Sequence, residues 1–336
     1  MNTIRFPHLY LTLPSVPQYF GLGSFSIACY GIVIAAAVVS GLWIVMRTAR
    51  QTGQEEDAFF NYGLLTVVFS ILCARIYYVV FSWDYYRVHL AEIINLRGGG
   101  LAIYGGVLGG ILFTFLYARK IRKPVLQLLD TAMPGLVWGQ MLGRWGNFFN
   151  REAFGGYTDS LFAMQIPLGR ANPAHVTEEM TAHLQEIGGI AFIQVHPTFL
   201  YESFWNLGVF LILLLVIRKT RTIAVSDCTV TDHSGFRRET NGARRKKQDT
   251  AVMESSASGR YPYGIVFCMY LILYGTGRFW IEGLRTDQLL IPEIGIPVSQ
   301  MLSVVLFLCG LAGIIVIRYR FYKSAGRKHV ISERDG

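Results

Sequence analysis

Seven apolar runs constrain this chain more than any other feature. They cover 26–46, 58–81, 101–118, 125–142, 199–217, 263–281 and 296–317, and each holds 18 to 24 residues. A helix needs about 20 apolar residues to cross the hydrocarbon of a bilayer. Each run is therefore predicted to be a spanning helix. Composition agrees: 16% of the 336 residues are charged, against about 25% in soluble domains. The expected fold is an all-α polytopic membrane protein, with seven transmembrane helices and a small outward-facing head of mixed structure. The first run is not a signal peptide, because it starts late and lacks a basic leader and a small-residue cleavage site.

The formal charge of +9 does not indicate nucleic acid. The basic residues are parcelled into short loops between apolar runs rather than along a groove. Segments 47–57, 119–123, 218–260 and 318–336 hold 2, 4, 10 and 6 Lys or Arg, 22 in all, and the opposite side holds 8. By the positive-inside rule the amino terminus is outside and the carboxyl terminus cytoplasmic. The chain then divides into a core of five spans (1–219, with the head at 148–196), a flexible basic cytoplasmic loop (220–260), two further spans (261–318) and a basic tail (319–336). In the head, "LFAMQIPLG" and "IAFIQVHP" read as short strands. The basic run at 244–247 reads as a topology determinant or a contact with anionic membrane lipids. Cys29, Cys73, Cys228, Cys268 and Cys309 have no metal or disulfide spacing and read as small hydrophobes.

Polar residues inside or beside apolar runs carry the functional signal. In "LAIYGGVLGG", Gly105/Gly109 and Gly106/Gly110 are overlapping GxxxG pairs, suited to close helix packing beside Tyr104. "GQMLGRWGNFFNREAFGG" brings Arg144, Asn147, Asn150 and Glu152 to the outward end of the fourth run, and Gly143 and Gly146 are expected to interrupt the helix there. A guanidinium with amide donors suits phosphate and hydroxyl oxygens. "HPTFLYES" sets His196, Tyr201 and Glu202 at the start of the fifth run, where His196 is placed to orient substrate or take a proton. "YGTGRFWIEGLR" puts Arg278, Glu282 and Arg285 on one helix face, with Glu282 expected to pair with one Arg and leave the other for ligand. Arg75 and Asp130, also inside runs, are expected to be structural ion pairs. Together the outward arginines imply an anion site.

At these motifs the sequence resembles the prolipoprotein diacylglyceryl transferase family. "GRWGNFFNREAFGG" is the strongest carrier, and "CYGI" at Tyr30, "GGGLAIYGGVLGG", "HPTFLYES" and "YGTGRFWIEGLRTD" follow the family's order. The resemblance implies a protein of the bacterial cytoplasmic membrane with phosphatidylglycerol as donor. It implies transfer of the diacylglyceryl group to the lipobox cysteine of a preprolipoprotein signal peptide, with release of glycerol 1-phosphate and no cofactor. It carries Arg144 over as the phosphate ligand, and marks Tyr30, Asn147, Gly155 and Arg278 as important. One position departs: some relatives have His where this chain has Tyr104. A phenol, with an ordinary pKa of about 10, is a poor base near neutrality. His196 or the substrate's own thiolate would then serve. The rival class from the residues alone is a transporter or channel for an anionic solute.

Overall fold

The structure is a computed structural model that describes residues 2–22, 25–96, 99–230 and 262–332. Each of the seven apolar runs is a long helix. These are α1 (Cys29–Gln51), α2 (Glu56–Phe81), α4 (Ile103–Ile121), α5 (Val125–Asn150), α7 (Thr198–Val230), α8 (Ile265–Glu282) and α9 (Val298–Ser332). The short helices α3 (Trp83–Tyr86) and α6 (Glu178–Ala182) lie between them. By length and composition α1, α2, α8, α9 and the Thr198–Lys219 part of α7 can cross a membrane. α4 ends on Arg119 and Lys120, and α5 carries Asp130, Pro134 and Arg144. These residues make both less apolar than the five. Leu, Ile, Val and Phe side chains are exposed along the outer faces of the long helices, as a lipid-facing surface requires.

Glycine sets how the helices meet. A Cβ on Gly135 of α5 would lie 2.5 Å from the Gly41 carbonyl of α1, so the two backbones touch where they cross. A Cβ on Gly105 or Gly109 would run into Cys73 and its neighbours on α2. Gly105/Gly109 is thus a packing seam of α4 on α2, whereas Gly106 has ordinary clearance. Gly310 and Gly313 of α9 fit against Cys268 and Ile272 of α8 in the same way.

Among the described residues neither Arg75 nor Asp130, both expected to be structural ion pairs, has an ion-pair partner. Arg75 donates to the carbonyls of Glu92, Ile93, Asn95, Gly99 and Gly100 at 2.6–3.0 Å. Its guanidinium also lies over the Tyr86 ring, 5.2 Å from the centroid. It pins the loop that leads into α4. Asp130 accepts from the Gly264 and Phe267 amides at 2.6 and 2.8 Å. A carboxylate on α5 therefore caps the start of α8, meeting amides that lack helical partners.

The head holds more β structure than the sequence suggests. A five-stranded sheet runs β2-β1-β5-β7-β6, from β1 (Ile4–Phe6), β2 (Leu11–Leu13), β5 (Met164–Pro167), β6 (Gln185–Ile187) and β7 (Ile190–Val195). All pairs are antiparallel. The two expected strands are β5 and β7, and the chain's first residues supply two more. A hairpin of β3 (Tyr19–Leu22) and β4 (Phe25–Ala28) leads into α1. Ile4, Phe6, Met164, Ile166, Ile193 and Val195 from the sheet join Phe148 and Phe199 in one buried cluster, so the head sits directly on the ends of α5 and α7. Helix α7 continues to Val230, past the boundary expected at 219; the rest of the basic loop, with 244–247, lies outside the described residues. Of the cysteines with described side chains, all four are free; Cys29 and Cys268 are buried but Cys309 is exposed.

Candidate functional site

Helix α5 does not break at Gly143 or Gly146; it runs to Asn150 and ends on Arg151 in the left-handed region (φ 56°). Gly146 is needed for contact, not for a bend: a Cβ there would meet the Tyr30 ring of α1 at 2.6 Å. The continuous helix carries Arg144 inward of its end, and Asn147 and Asn150 toward the head. Both amides donate to Glu152 Oε1, at 2.8 and 3.3 Å.

Three arginines from two segments converge on one buried carboxylate. Glu202, in the second turn of α7, takes Arg144 Nε on Oε2 at 2.7 Å. Its Oε1 faces Arg278 Nη1 at 3.0 Å and Arg285 Nη1 at 3.4 Å. Glu282 stands 2.5 Å from Arg278 Nη2 and 4.0 Å from Arg285 Nε. Glu282 thus engages both arginines and leaves neither unpaired, contrary to the expectation of one free Arg. Asp287 takes Arg285 Nε and Nη2 at 2.8 and 2.6 Å. The network holds three cations and three carboxylates and is balanced overall. Burial works against the Arg285 cation, but the hydrogen bond and charge of Asp287, with Glu202 and Glu282, push its pKa up. Burial likewise works against the Asp287 carboxylate, yet Arg285 holds it below the usual carboxylate range.

Arg144 differs from the other two. Among the described residues its ion pair is with Glu202, through Nε, no hydrogen bond is made by Nη1 or Nη2, and its side chain is 21% exposed. One edge of the guanidinium is fixed while the terminal nitrogens stay open. Tyr30 lies within electrostatic reach of both Arg144 and Glu152.

Gly155 and Gly156 stitch head to network. The Gly155 amide donates to the His196 carbonyl (3.0 Å), the Gly156 amide to Leu284 (2.9 Å), and the His196 amide to Gly156 (3.0 Å). A Cβ on Gly155 would lie 2.6 Å from the Leu284 carbonyl and 2.8 Å from His196 Cβ, which demands glycine. In this seam the Gly155–Gly156 backbone lies between His196 on one side and Leu284–Arg285 on the other. His196 Nδ1 is 3.3 Å from the Tyr201 hydroxyl, and burial lowers its pKa. Tyr201 in turn packs against Trp280 of α8.

Tyr104 is not brought to this cluster by any described hydrogen bond or ring contact. It lies on the first turn of α4, 38% exposed. Arg144, Asn147, Asn150, Glu152, Gly155, His196, Tyr201, Glu202, Arg278, Glu282, Arg285 and Tyr30 are brought together. Asp287 was missed from sequence. Its signal was its place two residues after Arg285, within fork-binding reach of it.

A bundle with five helices long and apolar enough to cross a membrane, and an arginine–carboxylate network where it meets a β-rich head, defines a class: multi-pass membrane proteins with a buried charge network at one end of the bundle. The family model described as prolipoprotein diacylglyceryl transferase matches residues 17–248 and 249–316. The chain is 36% identical over 301 residues to the phosphatidylglycerol–prolipoprotein diacylglyceryl transferase of Synechococcus elongatus, covering 90% of this chain and 87% of that one. It is 33% identical over 314 residues to the enzyme of that name from Clostridioides difficile, covering 94% and 98%. The chain belongs to the prolipoprotein diacylglyceryl transferase family.

Proposed function

We propose that this protein transfers the sn-1,2-diacylglyceryl group of phosphatidylglycerol to the thiol of the lipobox cysteine in a preprolipoprotein signal peptide, releasing glycerol 1-phosphate. The observation that carries this reading is Arg144: paired through Nε with the buried Glu202, partly exposed, and with no hydrogen bond on its terminal nitrogens among the described residues. A guanidinium fork held in that way suits the bidentate recognition of a phosphate. The seven long helices all cross the bacterial cytoplasmic membrane, with the head and amino terminus outside and the carboxyl terminus in the cytoplasm. In this orientation the network lies at the outer ends of α5, α7 and α8, at the depth of a lipid headgroup. A transporter would be better served by a site near the midplane.

The substrate supplies the nucleophile. A free thiol has a pKa of about 8.5, so a small thiolate fraction exists near neutrality and nearby arginines raise it. The thiolate sulfur attacks the glyceryl carbon that bears the phosphodiester oxygen. A C–S bond forms, the C–O bond breaks, and its electron pair stays on the phosphate oxygen. The thiol proton goes to His196 or to water. The phosphate passes from one negative charge toward two, so Arg144 and Arg278 bind the transition state more strongly than the ground state. Glu202 and Glu282 hold the arginines in place beforehand, so little reorganisation accompanies the charge shift. Asn147, Asn150 and Glu152 face the glycerol hydroxyls, Tyr30 and Tyr201 line the donor, and Gly155 lets the head approach. Arg285 supports the network through Asp287. No cofactor takes part.

The test is mass spectrometry of a lipobox peptide incubated with the purified protein and phosphatidylglycerol vesicles. A diacylglyceryl increment on the cysteine is expected. An unmodified peptide, with phosphatidylcholine and phosphatidylglycerol equally inert, would sink the reading.

A further inference from the structure

Between the end of α5, the head and the segment after α8 lies a half-open polar cavity of about 440 Å³, within the common range for small-ligand pockets. Its wall includes Arg151, Arg170, His175 and Arg285, with Glu152 and Asp287 as the carboxylates. Both carboxylates are already engaged: Glu152 by the Asn147 and Asn150 amides, Asp287 by Arg285. The cations on the head side are not. Arg151 donates to the carbonyls of Phe149, Asn2 and Val16, and among the described residues no carboxylate pairs with it. Its Nε is buried without a hydrogen-bond partner. Arg170 likewise has no ion pair among the described residues. Burial and the charge of Arg170 both disfavour the Arg151 cation. His175 Nδ1 is buried without a partner on the same wall. The wall thus sets three guanidinium groups against two carboxylates, with an unpartnered imidazole nitrogen besides. Such a wall is short of an anion.

We propose that this cavity is the waiting site for the phosphate monoester product, held by Arg170, His175 and Arg151 after it leaves the network. The proposal rests on the reaction described above. While the phosphodiester is intact, its phosphate is tied to a glyceryl group whose acyl chains stay in the bilayer. Once the C–O bond breaks, glycerol phosphate is free to move off the membrane. It has also gained a second negative charge, which a wall with more guanidinium groups than carboxylates favours over the singly charged diester. The path is continuous, because Arg285 and Asp287 belong to both network and cavity. The site thus separates product from the arginines that must receive the next donor.

The experiment uses the full chain in phosphatidylglycerol vesicles with a lipobox peptide. Initial transfer rates are read with increasing added glycerol phosphate, and with inorganic phosphate in a parallel arm. Wild type should be inhibited by glycerol phosphate more strongly than by inorganic phosphate. Arg170→Gln and His175→Asn should each raise the inhibitory concentration roughly tenfold, the loss of one charge-assisted hydrogen bond, with uninhibited rates and KM for the donor unchanged. Equal inhibition of wild type and both variants overturns the proposal, as does an active enzyme indifferent to glycerol phosphate. If wild type transfers nothing, the reaction reading falls and the site is judged by phosphorus NMR titration with glycerol phosphate. Weaker binding to Arg170→Gln keeps the site, and equal binding removes it.

Discussion

Glu202 is a single buried carboxylate facing three guanidinium groups, and the consequences can be measured one residue at a time. Glu202→Gln removes the counter-charge while keeping the shape. Breaking a buried ionic network on one side costs on the order of 3–5 kcal/mol. A lower Tm in detergent and a fall in kcat are expected together. Arg144→Ala should abolish transfer while the protein still inserts and folds; near-wild-type modification of a lipobox peptide would remove Arg144 from its assigned role. Burial lowers the His196 pKa, so the imidazole is neutral near pH 7 and can accept a proton. A depressed folded pKa contributes stability above the ordinary histidine value of about 6.5, and that stability is lost as pH falls through the lower folded value. The acid limb of kcat/KM should accordingly lie below pH 6.5, and His196→Asn should flatten it. If His196→Asn is active and Tyr104→Phe dead, the proton goes elsewhere. The residue types of this cluster were legible because Arg and Glu inside apolar runs demand partners. Which Glu serves which Arg was not, since Glu202 and Arg278 lie 76 positions apart.

Between elements, the contacts are backbone to backbone. Gly135 and Gly41 leave no room for a side chain where α5 crosses α1. Gly135→Leu should lower Tm by more than the 1–3 kcal/mol usual for overpacking implies, because the obstructing atom is a carbonyl rather than a flexible side chain. Asp130→Ala removes the cap of α8, costing about 1 kcal/mol by the measure of ordinary helix caps. Asp130→Asn, which keeps an acceptor, should lose less in the same melting experiment. The glycine spacing in "YGGVLGG" was readable as a packing seam because both members fall on one helix. Gly41 and Gly135 stand on different helices, and their crossing is visible only when both helices are placed. Arg75 was not legible, because five carbonyls of a folded-back loop solvate the cation where an acid was expected, and no residue type marks a backbone acceptor.

At the scale of the molecule, hydropathy was enough to place seven helices but not the head's sheet. Strands of three residues such as Ile4–Phe6 leave no periodic signature, and their partner Gln165 is far along the chain. The proposed orientation can be checked in cells with Tyr10→Cys, at a residue 98% exposed in the head, and Lys323→Cys at the far end of α9. A membrane-impermeant thiol reagent should label the first in intact cells and the second only after lysis, read against the cysteine-bearing parent. The opposite pattern reverses the topology.

The pairing of Arg5 with Gln165 also bears on how the chain is made. The first strands emerge early, yet their partner follows only after four helices have been threaded. Until then the β edge stays open, a state prone to wrong pairing. The sheet can close only if each intervening helix has been inserted in the right direction. A helix left uninserted would strand Gln165 on the opposite side from Arg5, so the sheet closes only on a bundle whose intervening helices return the chain to the side where it began.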